Sequence, residues 1–230
     1  MNPFNSLGHY CGIVGVFSPV AENIPEQLFY GLFALQHRGQ ESAGIAYRNH
    51  GRLVVYKDLG KVPDVLTKYL EEPKESTLGI GHVRYSTQGG NRIENAQPIL
   101  VSCNKGDIAL AHNGTLSNSD KVKGELSGEG SIFQSTSDSE LILHLIARSR
   151  QDNFYSALKE SITKLEGAFS IVMAHGDALY AIRDPQGFRP LYYGKDSKGR
   201  VVVASESCAL DTLGIKGSQP VPPGSILKID

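Results

Sequence analysis

From Cys11 onward the apolar positions fall into short runs with two different spacings. CGIVGVF (11–17), AGIAYR (43–48), LVVYKD (53–58) and TLGIGHVRYS (77–86) are strand-like: short, rich in β-branched and aromatic residues, and broken by glycine or polar residues. Between the first two, Leu28, Leu32 and Leu35 recur at helical spacing, with Asn23 as a cap, Pro25 in the first turn and Gly39 as the end. A second helix is predicted between LVVYKD and TLGIGHVRYS. A polar, turn-rich stretch runs from Thr87 to Pro98, and ILVSC and IALAHNG then flank the hairpin turn NKGD.

STSDSELILHLIARS is the clearest helix start, because Ser137 and Glu140 have capping-box spacing and Leu141, Leu145 and Arg148 follow at helical period. A helix over about 153–165 comes next. The remainder is strand-rich: AFSIVMA, ALYAIRD, PLYYG, RVVVASES and SILKI, separated by tight turns. Many strands joined by hairpins, with a few helices inserted in pairs, predict an α+β fold of antiparallel sheets with helices outside them. No repeat or linker divides the chain, so one compact domain is expected. The abrupt stop on an apolar strand reads as the front part of something longer.

Composition narrows the function. With 23 basic against 24 acidic residues the formal charge is -1, which gives no electrostatic footprint for nucleic acid or an anionic membrane. The opening MNPFNSLGHY lacks the basic start and apolar run of a secretory signal, and no later run reaches the length of a membrane span, so a cytoplasmic location is expected. Cysteines at 11, 103 and 208 are odd in number and form no CxxC pair, against a disulfide framework or a zinc knuckle. GIGHVR has two glycines of a dinucleotide fingerprint without the third, and nicotinamide binding is excluded.

Cys11 taken alone reads more readily as a small core residue than as a nucleophile. A catalytic thiol needs a base. A lysine near pKa 10.4 would have to drop by about three units, whereas an α-amino group titrates at about 7.7–8.0, within a unit of a thiol near 8.5. Removal of residues 1–10 would therefore place nucleophile and base on one residue. With the leader attached, the base would have to be a histidine such as His9, His82 or His112. HNGTL (112–116) reads by itself as an Asn-Gly turn, although Asn113 and Gly114 also offer two donors suited to an oxyanion. Arg84, with Thr87, could grip a carboxylate, and Asp138 could meet an ammonium group. That pairing is a statement about space.

CGIVGVF, LQHRGQESAGI, GIGHVRYST, LAHNGTL, TSDSE and RDPQGFRPL, in this order, resemble the glutamine amidotransferase domain of the N-terminal-nucleophile hydrolases from Cys11 to the last residue. Within that class LQHRGQESAGI and RDPQGFRPL are most similar to the amidophosphoribosyltransferases. The resemblance implies a four-layer αββα sandwich, a leader over residues 1–10 and a glutaminase domain over 11–230. It implies Cys11 as nucleophile, Asn113 and Gly114 as oxyanion hole, Arg84, Thr87 and Asp138 as the glutamine clamp, and Arg38 and Gly39 as the loop beside the nucleophile. Ammonia released from glutamine would serve a phosphoribosyltransferase half that these residues do not contain. No cofactor is expected in this chain; magnesium and an iron-sulfur cluster would belong to the full-length enzyme, a homo-oligomer. The glutaminase of another amidotransferase, or a non-catalytic glutamine-binding domain that keeps its leader, are the competing readings.

Overall fold

In the computed structural model, which describes residues 11–71, 73–85 and 92–230, two antiparallel sheets stack face to face. The larger contains β1 (Gly12–Asn23), β2 (Ser42–Asn49), β3 (Arg52–Leu59), β4 (Glu75–Arg84), β9 (Tyr192–Lys195), β10 (Val201–Ala204) and β11 (Gln219–Pro220), in the order β11-β9-β10-β1-β4-β2-β3. The smaller contains β5 (Ile99–Cys103), β6 (Gly106–Leu116), β7 (Gly167–His175), β8 (Ala178–Arg183) and β12 (Ile226–Ile229), in the order β12-β8-β7-β6-β5.

Strand alternation sorts the side chains into three apolar layers. Ile13 of β1 and Ala109 and Ala111 of β6 face the space between the sheets, joined by Ala46, Ile80, Ala174 and Ala181. Small residues there let the two sheets approach closely. Val14 and Val16 of β1 face outward onto α1 (Ile24–Ala34), α2 (Val62–Leu66) and α6 (Ser207–Thr212). Ile108 and Leu110 of β6 face outward onto α3 (Ser119–Gly128), α4 (Ser139–Arg148) and α5 (Phe154–Ile162). The result is the four-layer αββα sandwich.

Several local expectations change. Asn23 occupies the start of α1 without capping it, because its amide donates to Glu26 at 2.9 Å instead. The helix ends at Ala34, and Gly39 closes a following 3-10 turn with an extended backbone. Glu140 bypasses the capping box and accepts from the backbone of Gln134 and Ser135, both at 2.9 Å, which folds the preceding loop back onto α4. Asn113 and Gly114 are not a turn: they lie inside β6, opposite Ser170 and Phe169. The hairpin-favouring dipeptide is overridden by a strand that continues to Leu116. α3 has no counterpart among the predicted helices, since only Val122 and Leu126 of its ten residues are buried and its sequence lacks a readable apolar face. Among the described residues no helix is long and apolar enough to cross a membrane.

Candidate active site

The site forms where β1 begins and β5 stops short. β5 pairs β6 only as far as Leu110, so beyond that point β6 has one free edge among the described residues. His112, Gly114 and Leu116 share strand parity and point their N–H groups towards it. Two of the three are taken by side chains: His112 N donates to Gln97 Oε1 at 2.7 Å, and Leu116 N to Asp138 Oδ2 at 2.9 Å. On the other side, Phe169 directs its own N–H and C=O to Asp184, so the Gly114–Phe169 pair is not a hydrogen-bonded one. The Gly114 N–H is thus left pointing between Gln97 and Asp138.

Only glycine fits there. A Cβ at Gly114, whose φ is +155°, would lie 2.2 Å from the Ala168 carbonyl oxygen and 2.7 Å from the Phe169 Cα. Next to it Asn113 is buried, on the inter-sheet face by alternation with Ala109 and Ala111, and neither its Nδ2 nor its Oδ1 has a hydrogen-bond partner among the described residues. A buried orphan amide costs about 1–3 kcal/mol per group, so both atoms stand ready for a ligand rather than for the fold.

A cavity of about 240 Å3 opens on this edge, and its walls include Cys11, Arg84, Tyr85, Gln97, Gly114 and Asp138. Cys11, Arg84, Gly114 and Asp138, far apart in sequence, are therefore brought together. Cys11 lies immediately before β1, and its Sγ donates to the Tyr85 carbonyl at 3.8 Å. Burial pushes the thiol above its ordinary pKa, opposed by the Tyr85 contact and by the positive charges of Arg84 and Arg38. Thr87 and residues 1–10, with His9, lie outside the described residues.

Arg38 and Gly39 do not line the cavity; they sit behind the nucleophile. Arg38 Nε donates to the Cys11 carbonyl at 3.0 Å, which makes it a backbone anchor and not a substrate contact in this geometry. Gly39 lies against the backbone of Arg84, where a Cβ would come within 2.5 Å of the carbonyl carbon. Gly39→Ala is expected to displace Arg84 and destabilise the fold by about 1–3 kcal/mol, read from the shift in a denaturant midpoint.

Neither His82 nor His112 is hydrogen-bonded to the Cys11 thiol among the described residues, although His112 lines the same cavity. Gln97 Nε2 and Ser137 Oγ both reach Ser139 Oγ at 3.0 Å, and His112 Nδ1 lies 2.9 Å from Ser139 Oγ and 3.6 Å from Asp138 Oδ1. Burial holds His112 below its ordinary pKa. His82 spans the two sheets, its Nε2 donating to the His112 carbonyl at 3.1 Å, and burial pushes it down to about 3. Because the unfolded chain takes up that proton near pH 6.5 and the folded chain does not, stability falls as pH drops from about 6.5 towards 3. Between pH 7 and 5 the loss from His82 amounts to about 2 kcal/mol, and denaturation curves of His82→Gln should show a correspondingly shallower pH slope.

The sequence reading missed Gln97, His112 as a structural hub, and Ser139. Their signal was weak, since a glutamine before a proline and a serine inside a helix start are ordinary. RDPQGFRPL is a turn into β9, as expected, and its order comes from Asp184. The buried Asp184 carboxylate accepts from the backbone of Gln186 and Phe188 at 3.0 and 3.1 Å, and from Phe169 and Arg189 at 3.3 and 3.2 Å. Cys103 packs with the outer layer of the smaller sheet and Cys208 with that of the larger, so the three cysteines, all free, do not fit a shared iron-sulfur cluster. No group of three or more His, Cys, Asp or Glu that could hold a metal occurs among the described residues.

Stacked antiparallel sheets between helical layers, with a cysteine at the head of a central strand, define the glutaminase fold of the N-terminal-nucleophile type. A family model described as a glutamine amidotransferase domain matches residues 82–212, and the chain belongs to that family. It is 44% identical to the amidophosphoribosyltransferase of Methanocaldococcus jannaschii over 95% of this chain and 47% of that protein. It is 43% identical to amidophosphoribosyltransferase 3, chloroplastic, of Arabidopsis thaliana, over 98% of this chain and 42% of that one. Among solved structures, the glutamine phosphoribosylpyrophosphate amidotransferase of B. subtilis, complexed with ADP and GMP, superposes with a TM-score of 0.87 at 39% identity, covering 96% of this chain and 47% of that one. The chain thus spans about half the length of the relatives it matches.

Proposed function

We propose that this domain hydrolyses the side-chain amide of glutamine through a Cys11 thioester, and that the ammonia serves a phosphoribosyltransferase portion which converts phosphoribosyl pyrophosphate to 5-phosphoribosylamine in purine synthesis. The observation that carries the glutaminase reading is the free edge of β6: a Gly114 N–H unclaimed among the described residues in the wall of a cavity shared with Cys11, Arg84 and Asp138, next in the strand to an Asn113 amide that does not line the cavity but is unpartnered among the same residues.

In this reading Arg84, with Thr87, holds the glutamine carboxylate and Asp138 its ammonium group. The Cys11 thiol gives its proton to its own α-amine and the thiolate attacks the amide carbon. Asn113 Nδ2 and Gly114 N–H receive the negative charge that develops on oxygen. Collapse of the tetrahedral species takes the proton from the α-ammonium and expels ammonia, leaving a γ-glutamyl thioester. Water, deprotonated by the amine, attacks the thioester through the same two donors; the proton returns to the thiolate and glutamate leaves.

The mechanism requires cleavage between Tyr10 and Cys11. Support for an amine base is that neither His82 nor His112 is hydrogen-bonded to the thiol. Intact mass and N-terminal sequencing of the active protein are expected to show Cys11 as the first residue. Retention of Met1 to Tyr10 with undiminished glutaminase activity would overturn the amine mechanism. Arg84→Ala should raise the glutamine KM about 10- to 100-fold with a smaller change in kcat, as expected for a lost charge-assisted carboxylate contact.

Magnesium and an iron-sulfur cluster are assigned by this reading to the portion of the longer enzyme outside these residues, as is homo-oligomer formation. The proposed setting is cytoplasmic.

A further inference from the structure

Once its leader is cut, Cys11 would be a chain terminus, and the sheet holds the start of β1 on one side only, where β4 pairs it from Gly12–Val83 onward. The β1–β10 ladder runs only from Phe17–Val201 to Val14–Ala204. Past that point two consecutive residues after β10 take over with other contacts. Ser205 brackets Ile13, accepting from Ile13 N at its Oγ and donating its own N–H to the Ile13 carbonyl, each at 3.0 Å. Glu206, next along, does not touch β1 itself. One of its carboxylate oxygens takes Arg38 Nη1, the other faces His37 Nε2 at 3.0 Å, and Arg38 Nε in turn holds the Cys11 carbonyl at 3.0 Å. Burial alone would raise the Glu206 pKa, but Arg38 and His37 hold it below the ordinary carboxylate range, so the pair is charged at neutral pH.

We infer that Glu206 is a positioning residue for the nucleophile: through Arg38 it fixes the Cys11 carbonyl and its peptide plane, and thereby the place of the Cα from which both the thiol and the liberated amine project. This rests on the glutaminase reading above. The physical need is specific to a terminal residue. With no preceding peptide bond, Cys11 is held by its own carbonyl, by the thiol contact to Tyr85 and by the strand that follows, and a shift of the Cys11–Gly12 peptide plane would carry thiol and amine together away from the glutamine amide. An arginine that spans from Glu206 to that carbonyl holds the plane in place without occupying the cavity. The groups facing the Glu206 carboxylate are Arg38, His37 and Cys208, whose Sγ lies 3.7 Å away. Arg38 also carries positive charge towards the thiol, and Glu206 offsets it.

The test compares the parent, Glu206→Ala and Glu206→Gln, all with Cys11 as first residue verified by mass. Glu206→Ala should lower the glutaminase kcat about 10- to 100-fold, the scale of a small misplacement of a reacting group, with KM changed by less than about threefold. Glu206→Gln keeps an acceptor for Arg38, so it should recover most of the rate. It should also move the pH midpoint of Cys11 alkylation by iodoacetamide, followed on the Cys11 peptide by mass spectrometry, to lower pH, because the Arg38 charge is no longer offset. An unchanged kcat in Glu206→Ala, a KM that rises in proportion to the lost kcat, or equal defects in the two variants with no movement of the alkylation midpoint would overturn the inference. Should Glu206→Ala not fold, the midpoint in Glu206→Gln decides. A parent without glutaminase activity would refute the functional reading instead, and the alkylation midpoints would still decide the placement of Glu206.

Discussion

Cys11→Ala abolishes glutamine turnover, with kcat expected to fall by about 10^4-fold or more, to the floor of the assay, while glutamine still binds. The division follows from where the site's parts come from. Arg84 ends β4, Asp138 begins α4 and Gly114 sits within β6, so the amino-acid clamp and the oxyanion donors belong to elements whose packing does not depend on the Cys11 side chain. Removing the thiol deletes the atom that forms the thioester and little else. Because loss of the thiol can also stop removal of the leader, binding is best measured on leaderless chains, in which an initiator Met directly precedes position 11. The Cys11→Ala chain of that form is compared with its Cys11 parent. Titration calorimetry should then return a glutamine Kd within a few-fold of the parent's glutamine KM, and no acyl adduct should appear on intact mass. Loss of binding in step with loss of turnover would mean that the thiol is itself a main glutamine contact.

Gly39→Ala and Arg84→Ala act on the same arginine by different routes. The first pushes on the Arg84 backbone and should cost stability; the second leaves the fold and should cost glutamine affinity. The close approach of Gly39 to Arg84 also explains why HRGQES combines charges with a glycine in a way that a helix end alone does not require. Arg38 is aimed at the Cys11 carbonyl from one side of that contact, and Arg84 at the cavity from the other.

What could be read from the sequence was governed by how local each cause is. Alternation and helical period located β1 to β10, β12, α1, α4 and α5, because most of them bury an apolar stripe and the rest, such as β3 and β5, carry a half-buried one. α3 escaped notice since Val122 and Leu126 are almost all it buries. Asn113-Gly114 was the informative failure. Locally the pair favours a hairpin, yet β7 runs antiparallel along β6 all the way to Leu116 and holds it extended. A dipeptide that contradicts its own local preference inside a strand is an expected mark of a functional position. Cys11, Arg84 and Asp138 were legible as residue types suited to a task, whereas their meeting in one cavity depends on two sheets stacking with β5 cut short. Periodicity carries no information about that. For the same reason Gln97 and Glu206 were invisible: each acts through side-chain contacts to residues distant in the chain, Gln97 on His112 and Ser139, Glu206 on Arg38 and His37.

Asn113→Ala should separate stability from activity. Its carboxamide is buried with both polar atoms unpartnered among the described residues, an arrangement that costs the fold about 1–3 kcal/mol per group. Truncation to alanine removes that cost and a few packing contacts, so the thermal midpoint is expected to stay at or above the parent's. The catalytic consequence runs the other way. Loss of one oxyanion donor costs about 3–4 kcal/mol in the transition state, a fall in kcat of roughly 10^2- to 10^3-fold, with KM little changed because the donor acts on charge that is absent from the bound amide. Gly114 cannot compensate, since its N–H is a single donor fixed by the strand. A variant that melts higher yet turns over a hundredfold more slowly would locate the price of catalysis in one side chain. A variant that loses stability and KM together would instead make Asn113 a packing residue and leave the oxyanion to other groups.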